Sequence, residues 1–194
     1  MLKPTLMNKK SLIALAFIFL FSLPCAAGDK YVGIFNSLKG FGVVIESPAS
    51  GTSFNEFGIY ADIYGFPTGR ATFYPGAKIY YLRNRVVKNF QAGEATCRLY
   101  LGAGGAAGYV HDFETPKKVS EISYLRNSMG ICAAAAGDAG LRAEFSGRLA
   151  LDLSFELEAG MFVGKDENGS TKLGLYKNGL YHTIYPQLSI LWKF

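Results

Sequence analysis

Cysteine is scarce in these 194 residues, three in all, and histidine scarcer still at two. So few thiols cannot build the paired framework of a disulfide-rich secreted domain. Two scattered imidazoles without clustered thiols do not make a metal site, so no metal and no cofactor is expected. Beyond residue 27 no apolar run approaches the roughly 20 residues of a membrane-spanning helix, which excludes a helical membrane protein for that stretch. Charge is not lopsided either. The net charge is +5, but Lys3, Lys9 and Lys10 crowd the opening, and without them 17 basic residues face 15 acidic ones. That balance gives no reason to expect a nucleic-acid partner.

What the chain does have begins with a leader. Three lysines, the apolar run Ser11 to Leu23 and then Pro24-Cys25-Ala26-Ala27 have the order of a secretory signal peptide: basic start, apolar centre, small-residue cleavage site. Cys25 invites a lipoprotein reading, but Ser22-Leu23-Pro24 before it does not resemble the acylation motif. The expected division is a signal peptide over 1–27 and one domain over 28–194.

That domain is rich in glycine (23), tyrosine (12) and phenylalanine (15), a composition common in barrels. Its clearest segment is Leu149 to Val163, where Leu149, Leu151, Leu153, Phe155, Leu157, Ala159, Met161 and Val163 alternate with Asp152, Ser154, Glu156, Glu158 and Gly160. Alternation without a helical stripe is a strand, and one this long suits a tilted membrane strand better than a soluble sheet. Ile131 to Phe145 alternates too, setting Asp138, Arg142 and Glu144 against Ala133, Ala135 and Leu141. Only Ser146-Gly147-Arg148 separates the two, which implies a tight hairpin. Ala95 to Val110, Gly76 to Val86 and Phe54 to Tyr64 read the same way. Tyr31 to Glu46 divides into a hairpin around residues 37–40, which brings the count to eight. Thr171 to Lys177, bounded by Asn168-Gly169 and Asn178-Gly179, is a rival source of the eighth strand. Loop lengths favour the N-terminal hairpin, because short turns then share the side of both chain ends, and Thr171–Lys177 becomes an extracellular arm.

The chain ends YHTIYPQLSILWKF. Ile184, Leu188, Ile190, Trp192 and Phe194 share one side of a strand, with Leu191 out of step on the other. Pro186 lacks an N–H for the ladder, so a bulge is expected there. With the leader, the alternating faces and this aromatic terminus, the chain resembles the small bacterial outer-membrane β-barrels, the OmpX-like proteins and OmpA-type transmembrane domains. The expected fold is all-β: a closed antiparallel up-and-down transmembrane β-barrel of eight strands. The resemblance implies insertion by the outer-membrane assembly machinery, for which Ile184, Leu188, Ile190, Trp192 and Phe194 would be the C-terminal signal. It implies lipopolysaccharide and phospholipid as lipid partners, and a monomer. It implies no single function, since members include anchors, adhesins, small pores and enzymes that act on lipid A.

The inner face collects Glu46, Glu56, Tyr60, Asp62, Lys78, Tyr80, Arg98, Tyr100, Asp138, Arg142, Glu144, Asp152, Glu156, Glu158 and Lys193. An eight-stranded barrel is only just wide enough for its side chains to fill, and buried charges need partners, so a plugged, non-enzymatic interior is expected. A narrow channel or ligand-binding barrel is the alternative, suggested by the small inner residues Gly102, Gly104, Ala106, Gly108, Gly130, Ala134, Ala136 and Gly140. A lipid A-modifying enzyme is the third reading. It would need His111 or His182 beside a nucleophile, and Ser189 has the opposite facing to His182. No catalytic residue is therefore assigned. Cys97 and Cys132 fall at opposite ends of adjacent strands, about 30 Å apart at strand rise, too far for a disulfide. Intact-mass measurement of the exported protein is expected to show a chain that begins at Gly28.

Overall fold

The computed structural model describes residues 29–37, 40–49, 52–62, 76–111, 129–145, 147–165, 169–178 and 186–194. The leader and its cleavage site, the Asn168 turn position, His182 and Ile184 lie outside them, as do the side chains of Asp62 and His111.

Nine strands run in chain order: β1 (Tyr31–Ser37), β2 (Gly40–Pro48), β3 (Ser53–Asp62), β4 (Gly76–Ala92), β5 (Ala95–His111), β6 (Met129–Glu144), β7 (Leu149–Lys165), β8 (Thr171–Asn178) and β9 (Gln187–Lys193). Each pairs antiparallel with its neighbour from β1 through β7, and β9 lies between β7 and β1, which closes the ring. Closure gives β1 to β7 and β9 a paired neighbour on both sides, whereas β8 pairs with β7 alone among the described residues. The N-terminal hairpin forms as expected, with Ser37 opposite Gly40. The Gly93-Glu94 turn between β4 and β5 occupies two residues, and Gly93 supplies the positive φ of 62° that such a turn requires.

The ninth strand does not make a nine-stranded barrel. β8 pairs with the far half of β7, from Lys165 opposite Thr171 to Glu158 opposite Asn178. β9 pairs with the near half, from Ser154 opposite Gln187 to Leu149 opposite Trp192. The two are halves of one strand position, so the wall has eight. Residues 179–185, between the two, lie outside the described residues. One expectation is corrected here. Thr171–Lys177 is not an arm outside the barrel but pairs with the far half of β7 as part of the eighth strand position. The described part of the terminal strand is Gln187–Lys193, with Pro186 immediately before it; Tyr181–Tyr185 lie outside the described residues.

The pairing also gives the stagger. From Tyr31, opposite partners lead through Glu46, Glu56, Leu82, Gly104, Ala136 and Glu158 to Asn178. Tyr31 itself pairs with Lys193, whose N–H bonds the Arg148 carbonyl, ten positions before Glu158. A stagger of ten over eight strands requires strongly tilted strands, roughly 35–45° from the axis, and an interior filled by side chains. The wall is uneven: β1 and β9 have 7 residues each, whereas β4, β5 and β7 have 17. At the end holding both termini the chain clasps itself. Phe194 N–H donates to the Lys30 carbonyl at 3.0 Å, and Lys193 pairs with Asp29 at 2.6 Å.

Side-chain alternation then divides inside from outside. Along β7 the burial alternates from Leu149 to Lys165, with Leu149, Leu151, Leu153, Phe155, Leu157, Met161 and Val163 exposed. Val32, Ile34, Phe41, Val43, Ile59, Ile79, Leu101, Ile131, Leu188, Ile190 and Trp192 continue the exposed apolar surface around the wall. Phe162 and Leu191, out of step in the sequence, point inward and are buried at 1% and 0% exposure. β4 carries one register slip, between Val86 and Lys88, which reverses the facing of its last residues. Leu157→Arg, at the middle of β7, is expected to destabilise the barrel in phospholipid vesicles by about 2–4 kcal/mol, read from reversible guanidinium unfolding.

Candidate functional site

The interior is built from alternate residues of all eight strand positions, and the register decides which of them meet. Glu46, Glu56, Tyr60, Lys78, Tyr80, Tyr100, Asp138, Arg142, Asp152 and Glu158 are all buried. Glu156 and Glu144 are slightly more open, at 13% and 15% of the side chain. Arg98 and Lys193 do not reach the centre: their side chains remain 39% and 36% exposed at the end that holds the termini. Asp62 pairs with Gly40 and Gly76 through its strand. Of the expected assembly signal, Leu188, Ile190, Trp192 and Phe194 all face outward and are exposed.

Two cations organise the buried set. Arg142 on β6 sits directly across from Asp152 on β7 and donates to it through Nε at 3.0 Å. Its Nη2 crosses the lumen to Glu46 Oε1 on β2, at 2.5 Å. β2 and β6 are four positions apart in a ring of eight, so this ion pair spans the interior from wall to wall. The guanidinium also lies over Phe54 at 4.5 Å, and over Tyr31 and Tyr100 at 5.4 and 5.7 Å. A planar, weakly hydrated cation suits such a site better than an ammonium. Nearer the other end Lys78 on β4 crosses to Glu158 on β7 at 2.7 Å, with Glu156 at 4.0 Å and the Tyr60 ring beneath at 4.9 Å.

Buried carboxylates outnumber buried cations, and neutral donors serve some of them, while Glu46 Oε2, Asp138 Oδ1 and Glu144 Oε1 accept no hydrogen bond. Glu56 accepts from Tyr80 at 3.0 Å and from Asn84 at 2.8 Å. Tyr100 donates to Asp152 at 2.7 Å and Tyr176 to Glu158 at 3.2 Å. Donors of this kind matter because an ion pair in a low-dielectric interior recovers its desolvation cost only when its remaining lone pairs are also met.

The small inner residues have a packing role. A side-chain carbon added at Gly58 would fall 2.2 Å from the Tyr80 ring, at Gly42 2.4 Å from Phe35, and at Gly140 2.3 Å from Tyr100. Each glycine is the direct cross-strand partner of the aromatic that covers it. Gly102 is covered likewise by Asn84 Oδ1, at 1.7 Å from the added carbon. Of the small residues expected to leave space, Gly102 and Gly140 are thus covered by side chains from the next strand, whereas a carbon added at Gly104 or Gly108 would meet mainly backbone. Phe35, Phe54, Leu82, Phe162 and Tyr176 complete this filling. They were not among the expected lumen residues, although their inward facing was legible from alternation.

His111 ends β5 and Ser189 faces inward in β9, buried at 5% exposure. Among the described residues no group of three His, Cys, Asp or Glu side chains is placed to hold a metal ion. Both cysteines are unpaired and buried: Cys97 lies opposite Ala143, and Cys132 opposite Gly108.

No family model matches the chain, and no curated protein does. Among solved structures, a major outer membrane protein from Thermus thermophilus matches over 86% of this chain and 100% of its own, at 13% identity and a TM-score of 0.43. The barrel described above stands on this chain's own strand pairing.

Arg142→Met would leave Glu46 and Asp152 as uncompensated buried carboxylates. It is expected to lower the unfolding free energy by about 3–5 kcal/mol, measured by guanidinium titration in vesicles. Adding Glu46→Gln and Asp152→Asn is expected to recover a large part of that loss.

Proposed function

We propose that the chain is an integral β-barrel of the bacterial outer membrane whose interior is closed by ion pairs, and that its role is structural or at the cell surface rather than enzymatic. The observation that carries this reading is the reversed partition of side chains. Leucine, isoleucine, valine and phenylalanine are exposed around the wall, while Glu46, Lys78, Arg142, Asp152 and Glu158 are buried inside it. A water-soluble barrel would have this the other way round, and the arrangement suits a wall solvated by lipid.

The plugged interior is supported by two cross-lumen ion pairs, Arg142–Glu46 and Lys78–Glu158. The space beside Gly102 and Gly140, which would favour a narrow channel, is occupied by Asn84 and Tyr100. Outer-membrane insertion is supported by the signal-peptide pattern and by the outward Leu188, Ile190, Trp192 and Phe194 of the closing strand.

The expressed protein is expected in the outer-membrane fraction, with faster gel migration unheated than boiled. It is expected to give no discrete conductance steps in planar bilayers. Recovery as soluble periplasmic material with no heat-dependent shift would reject membrane insertion, and regular conductance steps would reject the closed interior.

A further inference from the structure

At the end of the barrel that holds both termini a cavity of about 300 Å³ opens beside Glu46, Arg98 and Arg142, walled by Tyr31 and Phe54. Its size is at the lower end for small-molecule sites, roughly 300–1,000 Å³. It presents both signs of charge.

Glu46 provides the negative pole. Its side chain is buried, and Oε1 is held by Arg142, but Oε2 accepts no hydrogen bond. A buried carboxylate oxygen in that state favours any donor that can reach it. Arg142 already serves two carboxylates, through Nε to Asp152 and Nη2 to Glu46. Arg98 provides the positive pole. It gives Nη2 to Glu144 at 2.8 Å and stays 39% exposed, so its planar fork retains donors for a second acceptor. The hydroxyls of Ser47 and Ser53 add neutral partners to the same cavity.

A lone cation would satisfy Glu46 and meet an adverse charge at Arg98, and a lone anion would do the reverse. A molecule that carries an ammonium and a carboxylate within one short frame matches both. We propose that this mouth pocket binds a small zwitterion of the amino-acid or short-peptide class, its ammonium on Glu46 Oε2 and its carboxylate on Arg98.

Calorimetric titration of the full mature barrel in detergent tests this, with alanyl-alanine, n-propylamine and propionate as probes. The dipeptide is expected to bind saturably, and each single-charge probe about tenfold more weakly or worse, a loss of about 1.4 kcal/mol. Arg98→Gln should weaken the dipeptide about tenfold while leaving n-propylamine unchanged, because only the charge-assisted contact to the carboxylate is lost. Glu46→Gln should weaken the dipeptide and the amine together. The heat-dependent gel shift of each variant separates loss of binding from loss of fold, and separates failure of this proposal from failure of the membrane-barrel reading. Absence of saturable dipeptide binding to a barrel that keeps its gel shift overturns the proposal. So does dipeptide binding that Arg98→Gln does not alter, or n-propylamine binding as tight as the dipeptide's.

Discussion

Every backbone N–H and C=O in a sheet needs a partner, and from that one constraint much of this structure follows. The chain meets it by bringing its two ends together: β9 lies between β1 and β7. Lys193–Asp29 and the Phe194 hydrogen bond to Lys30 hold that closure at the rim. Once the ring is closed, alternation leaves each residue one of two environments, the outer surface or a narrow shared interior. The eighth strand position is shared: β8 and β9 take successive places along β7.

The interior converts a problem of burial into cross-bracing. Charges facing inward from single strands would be costly alone, but the ring sets β2 opposite β6 and β4 within reach of β7. Arg142 and Lys78 therefore each tie distant walls together. The Tyr80 hydroxyl and Asn84 bond Glu56, which neither cation reaches, and the Tyr100 hydroxyl adds to the Arg142 pair at Asp152. Glycine is the complement of this arrangement rather than a relaxation of it. Tyr80 lies on Gly58 and Tyr100 on Gly140, so a large ring fills the lumen only because its cross-strand partner has no side chain. The mouth pocket lies where the bracing stops, with Glu46 bonded on one oxygen and Arg98 part-way into solvent.

What could be read in advance depended on how local the physics was. The facing of Asp152, Glu156 and Glu158 against Leu151, Phe155 and Leu157 is a property of consecutive residues, and so was legible in β7. The N-terminal hairpin was legible from loop lengths. The role of Thr171–Lys177 was not, since a short alternating segment between two Asn-Gly turns reads equally as an arm or as half a strand. Only its pairing with β7 distinguishes them. Leu191 and Phe162 looked like errors in the pattern and proved to be inward packing residues, because a barrel this narrow accepts apolar bulk inside as readily as charge. Lys193 has the inward facing but sits at the rim, where its strand ends.

By itself the sequence determined the all-β class, the two faces of its long strands and a count of eight. All of these follow from a side-chain period of two and from turn chemistry, which act over a few neighbouring residues. The tertiary structure alone decided which inward residues meet: Arg142 with Glu46 across the lumen, Tyr100 over Gly140, and a cavity between Glu46 and Arg98. Those meetings depend on the stagger accumulated around the whole ring. A shift of two residues on one strand would change its partners across the lumen while leaving its own inward and outward pattern intact.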